Sequence, residues 1–301
     1  MRPRTCRLFH VDTFTRERFC GNPAVVVLDA DELEPVQMQR IASELGREVG
    51  FVASSDSPDF DVALRFFAPR REIPFVGHVT VAAHYVRALV DGVPQGRVRQ
   101  RSGGGLVEVE IKGEAPALRV TTQQGAAAFG PVIPDERCGP LYDALGLSSA
   151  TVHPSCPPQV MTKGTSRLLI GLRSPEALES LQPKMEELVR LTPHIGADGF
   201  FLFALRPNGG AVVTESRLFA PAIGIPEDPA SGNAHGMLGC YLVHCGLLLP
   251  EDGTAGFLGH QGRFVGRPSE IEVEVDANGR HATGVRVTGE AVIVYEARLP
   301  I

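Results

Sequence analysis

Apolar residues recur three and four apart at Met38, Ile41, Ala42 and Leu45, behind Pro35 and ahead of Gly46. This spacing predicts one amphipathic helix, with proline at its first position and glycine just past its end. Residues 51–54 and 61–68 read as strands joined by the turn-forming run Ser55-Asp56-Ser57-Pro58. Glu48 stands between the helix stop and the first of these strands. From Val79 onward, Val81, Ala82, Ala83, Tyr85, Val86, Leu89 and Val90 are apolar nearly all round, the signature of a helix enclosed by its domain. Ala234, Met237, Leu238, Tyr241, Leu242 and Val243 repeat that signature. Short strands are expected at 97–101, 106–111, 271–275 and 285–295, with turns at Gly103-Gly104-Gly105 and Asp276-Ala277-Asn278-Gly279.

Much of this pattern occurs twice. Residues 65–74, Arg-Phe-Phe-Ala-Pro-Arg-Arg-Glu-Ile-Pro, return at 217–226 as Arg-Leu-Phe-Ala-Pro-Ala-Ile-Gly-Ile-Pro, 152 positions later and identical at six of ten. Gly50-Phe51 recurs as Gly199-Phe200, and Gly77-His78 opens one enclosed helix as Gly232-Asn233 opens the other. A duplicated α+β fold follows: two pseudo-symmetric domains, each a sheet-rich shell about a buried helix. We expect the first domain at residues 1–117 plus a returning strand at 285–301, and the second at 118–284. Duplication sets equivalent loops face to face, and ligand sites favour domain interfaces, so the active site is expected in the cleft between the domains.

Length and charge narrow the partner. The chain has 301 residues, about two domains' worth. Its net charge is -6 with no run of five like charges, which argues against nucleic acid and anionic membrane as partners. The first ten residues carry Arg2, Arg4 and Arg7 and no apolar stretch, and no apolar run nears the roughly 18 residues of a membrane span. A cytoplasmic protein acting on a small molecule is expected. The six cysteines, Cys6, Cys20, Cys138, Cys156, Cys240 and Cys245, show neither C-x-x-C nor zinc spacing. They read as small buried hydrophobes, with no disulfide and no metal. Phosphate-loop, dinucleotide and serine-hydrolase motifs are missing, so no cofactor is expected.

Polar residues at the duplicated loops are the candidates for chemistry: Gly77 and His78 in one copy, Asp228, Ser231, Gly232 and Asn233 in the other. Two helix N-termini offer backbone N–H groups and positive dipole ends, a receptor for a small anionic substrate. Taken singly, Asp228 before Pro229 reads equally as a turn residue, His78 as the partner of a nearby carbonyl, and Glu48 as a solvated junction residue.

The blocks Gly21-Asn22-Pro23, Gly46-Arg47-Glu48-Val49-Gly50-Phe51, Arg65-Phe66-Phe67-Ala68-Pro69, Gly77-His78-Val79-Thr80, Glu227-Asp228-Pro229-Ala230-Ser231-Gly232, Gln261-Gly262-Arg263 and Gly266-Arg267-Pro268-Ser269 span nearly the whole chain. In that order they resemble the signature blocks of the phenazine-biosynthesis PhzF-like isomerase family. The resemblance implies a diaminopimelate epimerase-like fold, each domain a mixed sheet rolled around a central helix, and a homodimer. It implies Glu48 as the acid/base, with Gly77, His78 and Asp228 beside it; Ser231, Gly232 and Asn233 complete a substrate-binding loop. The family usually has serine where this chain has Asn233, whose amide hydrogen-bonds but cannot shuttle a proton as a hydroxyl does. The cysteine pair of the two-thiol epimerases is absent from the two helix-start loops, with Cys240 about two turns further on. The expected function is a cofactor-independent isomerase moving a proton within a small carboxylate-bearing substrate. The alternatives are an epimerase or dehydratase of an amino or hydroxy acid, and a non-catalytic small-acid-binding protein of the same fold.

Overall fold

A computed structural model describes residues 5–206, 209 and 211–301, and the chain divides into two compact units, Met1–Gln123 with Thr288–Ile301 and Gln124–Val287. Each is an α+β unit, and the two are built to one plan.

In the first unit the order is β1 (Thr5–Thr13), β2 (Asn22–Leu28), α1 (Pro35–Leu45), β3 (Val49–Ser54), β4 (Val62–Ala68), β5 (Arg71–Ile73), α2 (Gly77–Val90), β6 (Gly96–Ser102) and β7 (Gly105–Lys112). β8 (Arg119–Gly125) leads into the second unit. There follow β9 (Ala128–Val132), α3 (Asp135–Leu145), β10 (Gln159–Lys163), β11 (Thr165–Leu172), α4 (Pro175–Glu179), α5 (Met185–Ile195), β12 (Phe200–Arg206), β13 (Val213–Ala220), β14 (Ile225–Asp228), α6 (Gly232–Cys245), β15 (Thr254–Gln261) and β16 (Ser269–Asn278). β17 (His281–Pro300) begins in the second unit and ends in the first.

The duplication holds pairing by pairing. β2 joins β3 in parallel through α1, and β11 joins β12 in parallel through α4 and α5. β3 and β4 pair antiparallel, as β12 and β13 do. β4 then pairs in parallel with β6 across α2, and β13 with β15 across α6. Each of these helices has 14 residues and lies inside its own sheet.

Enclosure explains the all-round apolar sequences. α2 buries Val79 through Val86 against β1, β2, β3 and β7. α6 buries Met237, Leu238, Tyr241 and Leu242 among others, against β10, β15 and β16. Each large side chain so buried stabilises the unit by about 1.5–3 kcal/mol. α1 needs only one apolar face: Met38 and Ala42 pack on Val25, Val49, Phe51 and Phe67, and Gly46 ends it in the left-handed conformation.

α2 starts at Gly77, as the repeat implies, which puts His78 in its first turn. Other boundaries differ from the sequence reading. β16 runs through Asp276 to Asn278, held by the Arg286–Asp276 pair (2.5 Å), so the turn shrinks to Gly279 and Arg280. β17 has 20 residues, because its pairing with β1 continues to Thr5↔Pro300 after its side chains have become exposed and their alternation has ended. Cys20 and Cys245 are only partly buried, unlike the other four cysteines. Among the described residues, no helix is long and apolar enough to cross a membrane.

Candidate active site

The first group of candidate residues lies in the first unit, where β3 passes the start of α2. Glu48 directly precedes β3, and His78 is the second residue of α2. A Cβ on Gly50 would sit 2.5 Å from Val79 Cγ1, so glycine lets the strand run close under the first helical turn. That approach brings Glu48 Oε2 to 3.6 Å from His78 Nε2, just beyond hydrogen-bond distance. The Glu48 side chain is 37% exposed and that of His78 16%. Burial holds the imidazole down to about 4, so at neutral pH it is uncharged and the two groups form no ion pair. Gly77, at the first position of the helix, leaves the backbone there uncovered by a side chain.

A second group lies in the second unit, where β14 turns into α6. Asp228 ends β14 and accepts the Ala230 N–H through Oδ1 (3.2 Å), an Asx-type turn. Ser231 is the N-cap of α6, its Oγ accepting from Ala234 N–H at 3.3 Å. Asn233 donates from Nδ2 to the Lys163 carbonyl (3.1 Å) and to Thr165 Oγ1 (3.0 Å), which ties the β10–β11 turn to the first turn of α6. The Ser231 hydroxyl and the Asn233 amide therefore have structural work of their own. Gly232 opens the helix between them.

The tied turn carries Lys163, whose charge interacts with Cys240 about two turns into α6. The Lys163 ammonium is half-buried, and among the described residues no carboxylate lies within salt-bridge reach of it; burial lowers its pKa. Arg167, on β11 and also buried, is 3.9 Å from Asp198 and feels the Asp228 charge as well; burial lowers its pKa too, the two carboxylates opposing that. Arg167 thus brings a partly desolvated positive charge close to Asp228, just ahead of α6, whose N-terminus also favours an anion.

Three residues quoted above only as part of a motif turn out to hold this turn in place. Buried Gln261 donates from Nε2 to the Asp228 carbonyl (2.6 Å) and accepts the Ser231 N–H (3.2 Å) through Oε1. Ser269 Oγ donates to the carbonyls of Gln261 (3.1 Å) and Pro229 (3.2 Å). Gly262 has φ +84 and packs so tightly on the Pro229 and Arg267 carbonyls that no Cβ fits. The sequence signal was present, a polar-Gly block far from the turn, but spacing alone does not say what it contacts. Lys163 carried no signal at all.

Buried His235, unremarked in the sequence, binds the Ser231 carbonyl through Nδ1 (2.9 Å) and lies 3.3 Å from Ser216 Oγ through Nε2; burial holds it near 4, so it braces the turn as a neutral ring. Among the described residues no three His, Cys, Asp or Glu side chains gather as a metal site requires.

Comparison with known proteins gives matches along nearly the whole chain. The family described as phenazine biosynthesis-like protein (PhzC-PhzF) matches residues 11–297. The uncharacterized isomerase YddE of Escherichia coli K12 is 41% identical over 297 residues, 98% of each chain. The trans-2,3-dihydro-3-hydroxyanthranilate isomerase of Pseudomonas fluorescens is 30% identical over 287 residues, 94% of this chain and 95% of that one. Among solved structures, the PhzF-family phenazine biosynthesis protein of Bacillus anthracis superposes with a TM-score of 0.86 at 25% identity, covering 99% of this chain and 100% of that one.

Proposed function

This chain belongs to the phenazine biosynthesis-like family and is an enzyme of the isomerase type, and from that premise we propose that it moves a hydrogen between carbons of a small carboxylate-bearing substrate, with Glu48 as acid and base and no cofactor. The observation that carries the proposal is the Glu48–His78 pair: a carboxyl group 3.6 Å from an imidazole kept neutral by burial. A carboxylate takes a proton from an activated carbon, and the resulting acid returns it to another. A neutral imidazole beside it donates or accepts a hydrogen bond in either state without competing for the charge. An imidazolium there would stabilise the carboxylate and weaken it as a base.

Asp228, Gly77, Ser231, Gly232 and Asn233 act on the same substrate in this proposal. Lys163 supplies the charge that selects a carboxylate, and Asn233 holds the turn that presents it. Serine at 233 would have a shorter reach to the Lys163 carbonyl; the asparagine here exchanges a hydroxyl for that tie. We further propose that the enzyme works in the cytoplasm as a homodimer.

The test is a panel of acids in heavy water, beginning with trans-2,3-dihydro-3-hydroxyanthranilate, the compound in the name of the Pseudomonas relative, and continuing with small amino, hydroxy and dicarboxylic acids. The expected result is a double-bond isomer of at least one member, seen by NMR. For that substrate Lys163→Met raises KM roughly tenfold and changes kcat little, as loss of uniform binding does. An epimerase would instead return deuterium to the carbon that lost its hydrogen. Ligands recovered unchanged and unlabelled across the panel would count against the proposal.

A further inference from the structure

The far end of α6 carries a pair of thiols that the proposed chemistry does not use. Tyr241 and Cys245 lie one turn apart on one face of the helix. The Tyr241 hydroxyl donates to the Pro157 carbonyl at 2.5 Å, which docks the segment ahead of β10 on the last turn of α6. Cys156, next to Pro157, is thereby brought to the last turn of α6, where its thiol and that of Cys245 interact. Cys156 is fully buried, whereas Cys245 is partly open to solvent.

The surroundings divide the labour. The Cys156 thiol and the Tyr241 hydroxyl both interact with the Cys245 sulfur, and the Arg280 guanidinium packs on the adjacent Gly246. These hold Cys245 below the ordinary thiol range even against its burial, while the same contact, together with burial, pushes Cys156 far up. Reactive thiols are those with thiolate character and solvent access, with a second cysteine in reach to resolve them.

We propose that Cys156 and Cys245 form a reversible disulfide, with Cys245 as the peroxide-reactive sulfur and Cys156 as the resolving one. The Cys245 thiolate attacks one oxygen of hydrogen peroxide; the O–O bond breaks, hydroxide leaves and takes up a proton as water, and Cys245 becomes a sulfenic acid. Cys156 then gives up its proton and attacks the Cys245 sulfur; the S–O bond breaks, and a second water leaves as the S–S bond forms. The two thiols lose two electrons and the peroxide gains them. A dithiol reductant reverses the change by exchange. In a reducing compartment such a bond is transient and regulatory rather than structural. It would fix β10 to the end of α6 opposite Asn233, about 20 Å along a helix of this length.

The experiment treats the reduced full-length protein with equimolar hydrogen peroxide, blocks remaining thiols with N-ethylmaleimide in denaturant, and maps peptides without reduction by mass spectrometry. Expected is a linked Cys156–Cys245 pair, two hydrogens lighter than the separate peptides and absent after dithiothreitol, with the other four cysteines blocked by maleimide. Cys156→Ser leaves Cys245 as a sulfenic acid captured by dimedone, and Cys245→Ser abolishes both products. Wild-type protein that yields no linked pair, at a peroxide dose that oxidises glutathione alongside it, overturns the proposal. So does earlier oxidation at Cys20, or oxidation of Cys156 that persists in Cys245→Ser.

Discussion

Glu48→Gln lowers kcat/KM by about a thousandfold on any substrate the enzyme turns over, while the melting temperature stays close to that of the wild type. The kinetic loss follows because an amide of the same shape keeps the contacts of the carboxyl but cannot take or return a proton, and general acid–base catalysis contributes about 10²–10⁴-fold. Stability is spared because the side chain is 37% exposed and lies outside the core, where substitutions typically change stability by about 0.5 kcal/mol or less. The same account fixes the pH profile. His78 binds a proton only near 4, so between pH 5 and 8 the wild-type profile carries no limb from this imidazole. Activity that falls as the pH drops through 6.5, in a profile that loses this limb in His78→Gln, would mean that the ring is charged in the working enzyme. Steady-state kinetics and thermal denaturation of the two variants decide both points.

Arg217→Ala lowers stability by about 3–5 kcal/mol, a fall in melting temperature of roughly 6–20 °C, whereas Arg65→Ala costs less than about 1 kcal/mol. The two arginines occupy equivalent places in the repeat. Arg217 grips Glu227 with two bonds (2.9 and 2.8 Å), donates to the Leu178 carbonyl (3.0 Å) and stacks on Phe219 and Phe264. Side-chain exposures of 11% and 12% mean that its removal strands a carboxylate out of water. Arg65 grips Glu72 with two bonds of 2.8 Å, but at 39% and 45% exposure water replaces the lost partner. Equal melting temperatures for the two variants would show that the buried fork contributes no more than the exposed one.

This pair also marks where the sequence stops being legible. Arg65-Phe66-Phe67 and Arg217-Leu218-Phe219 announce a duplication, and the strand pairings bear it out from β2 to β6 and from β11 to β15. Nothing local, however, tells which copy buries its arginine, since burial depends on Phe264, far along the chain. The enclosed helices were readable because a helix surrounded by its own sheet is apolar on every side. α3 and α5 were not, because Pro140 and Pro193 fall inside them and proline ordinarily signals a helix end. In the candidate site, Glu48 and His78 could be picked out by block, but their approach rests on Gly50 meeting Val79 across two elements. Asn233 was read as a group offered to a ligand. Its amide also holds the carbonyl of Lys163, a residue 70 positions away that no pattern singled out.

The most direct test of Glu48 as sole acid and base follows one hydrogen. A substrate carrying deuterium at the carbon that gives up its hydrogen is taken through a single turnover in ordinary water, and the product is analysed by mass spectrometry and NMR. One carboxyl group that takes and returns the same hydrogen leaves deuterium at the receiving carbon in a measurable fraction of the product, diluted only by exchange with water during the life of the intermediate. Product that carries no deuterium at that carbon, even at the earliest time point, would contradict a single shielded carboxyl that returns the hydrogen it takes.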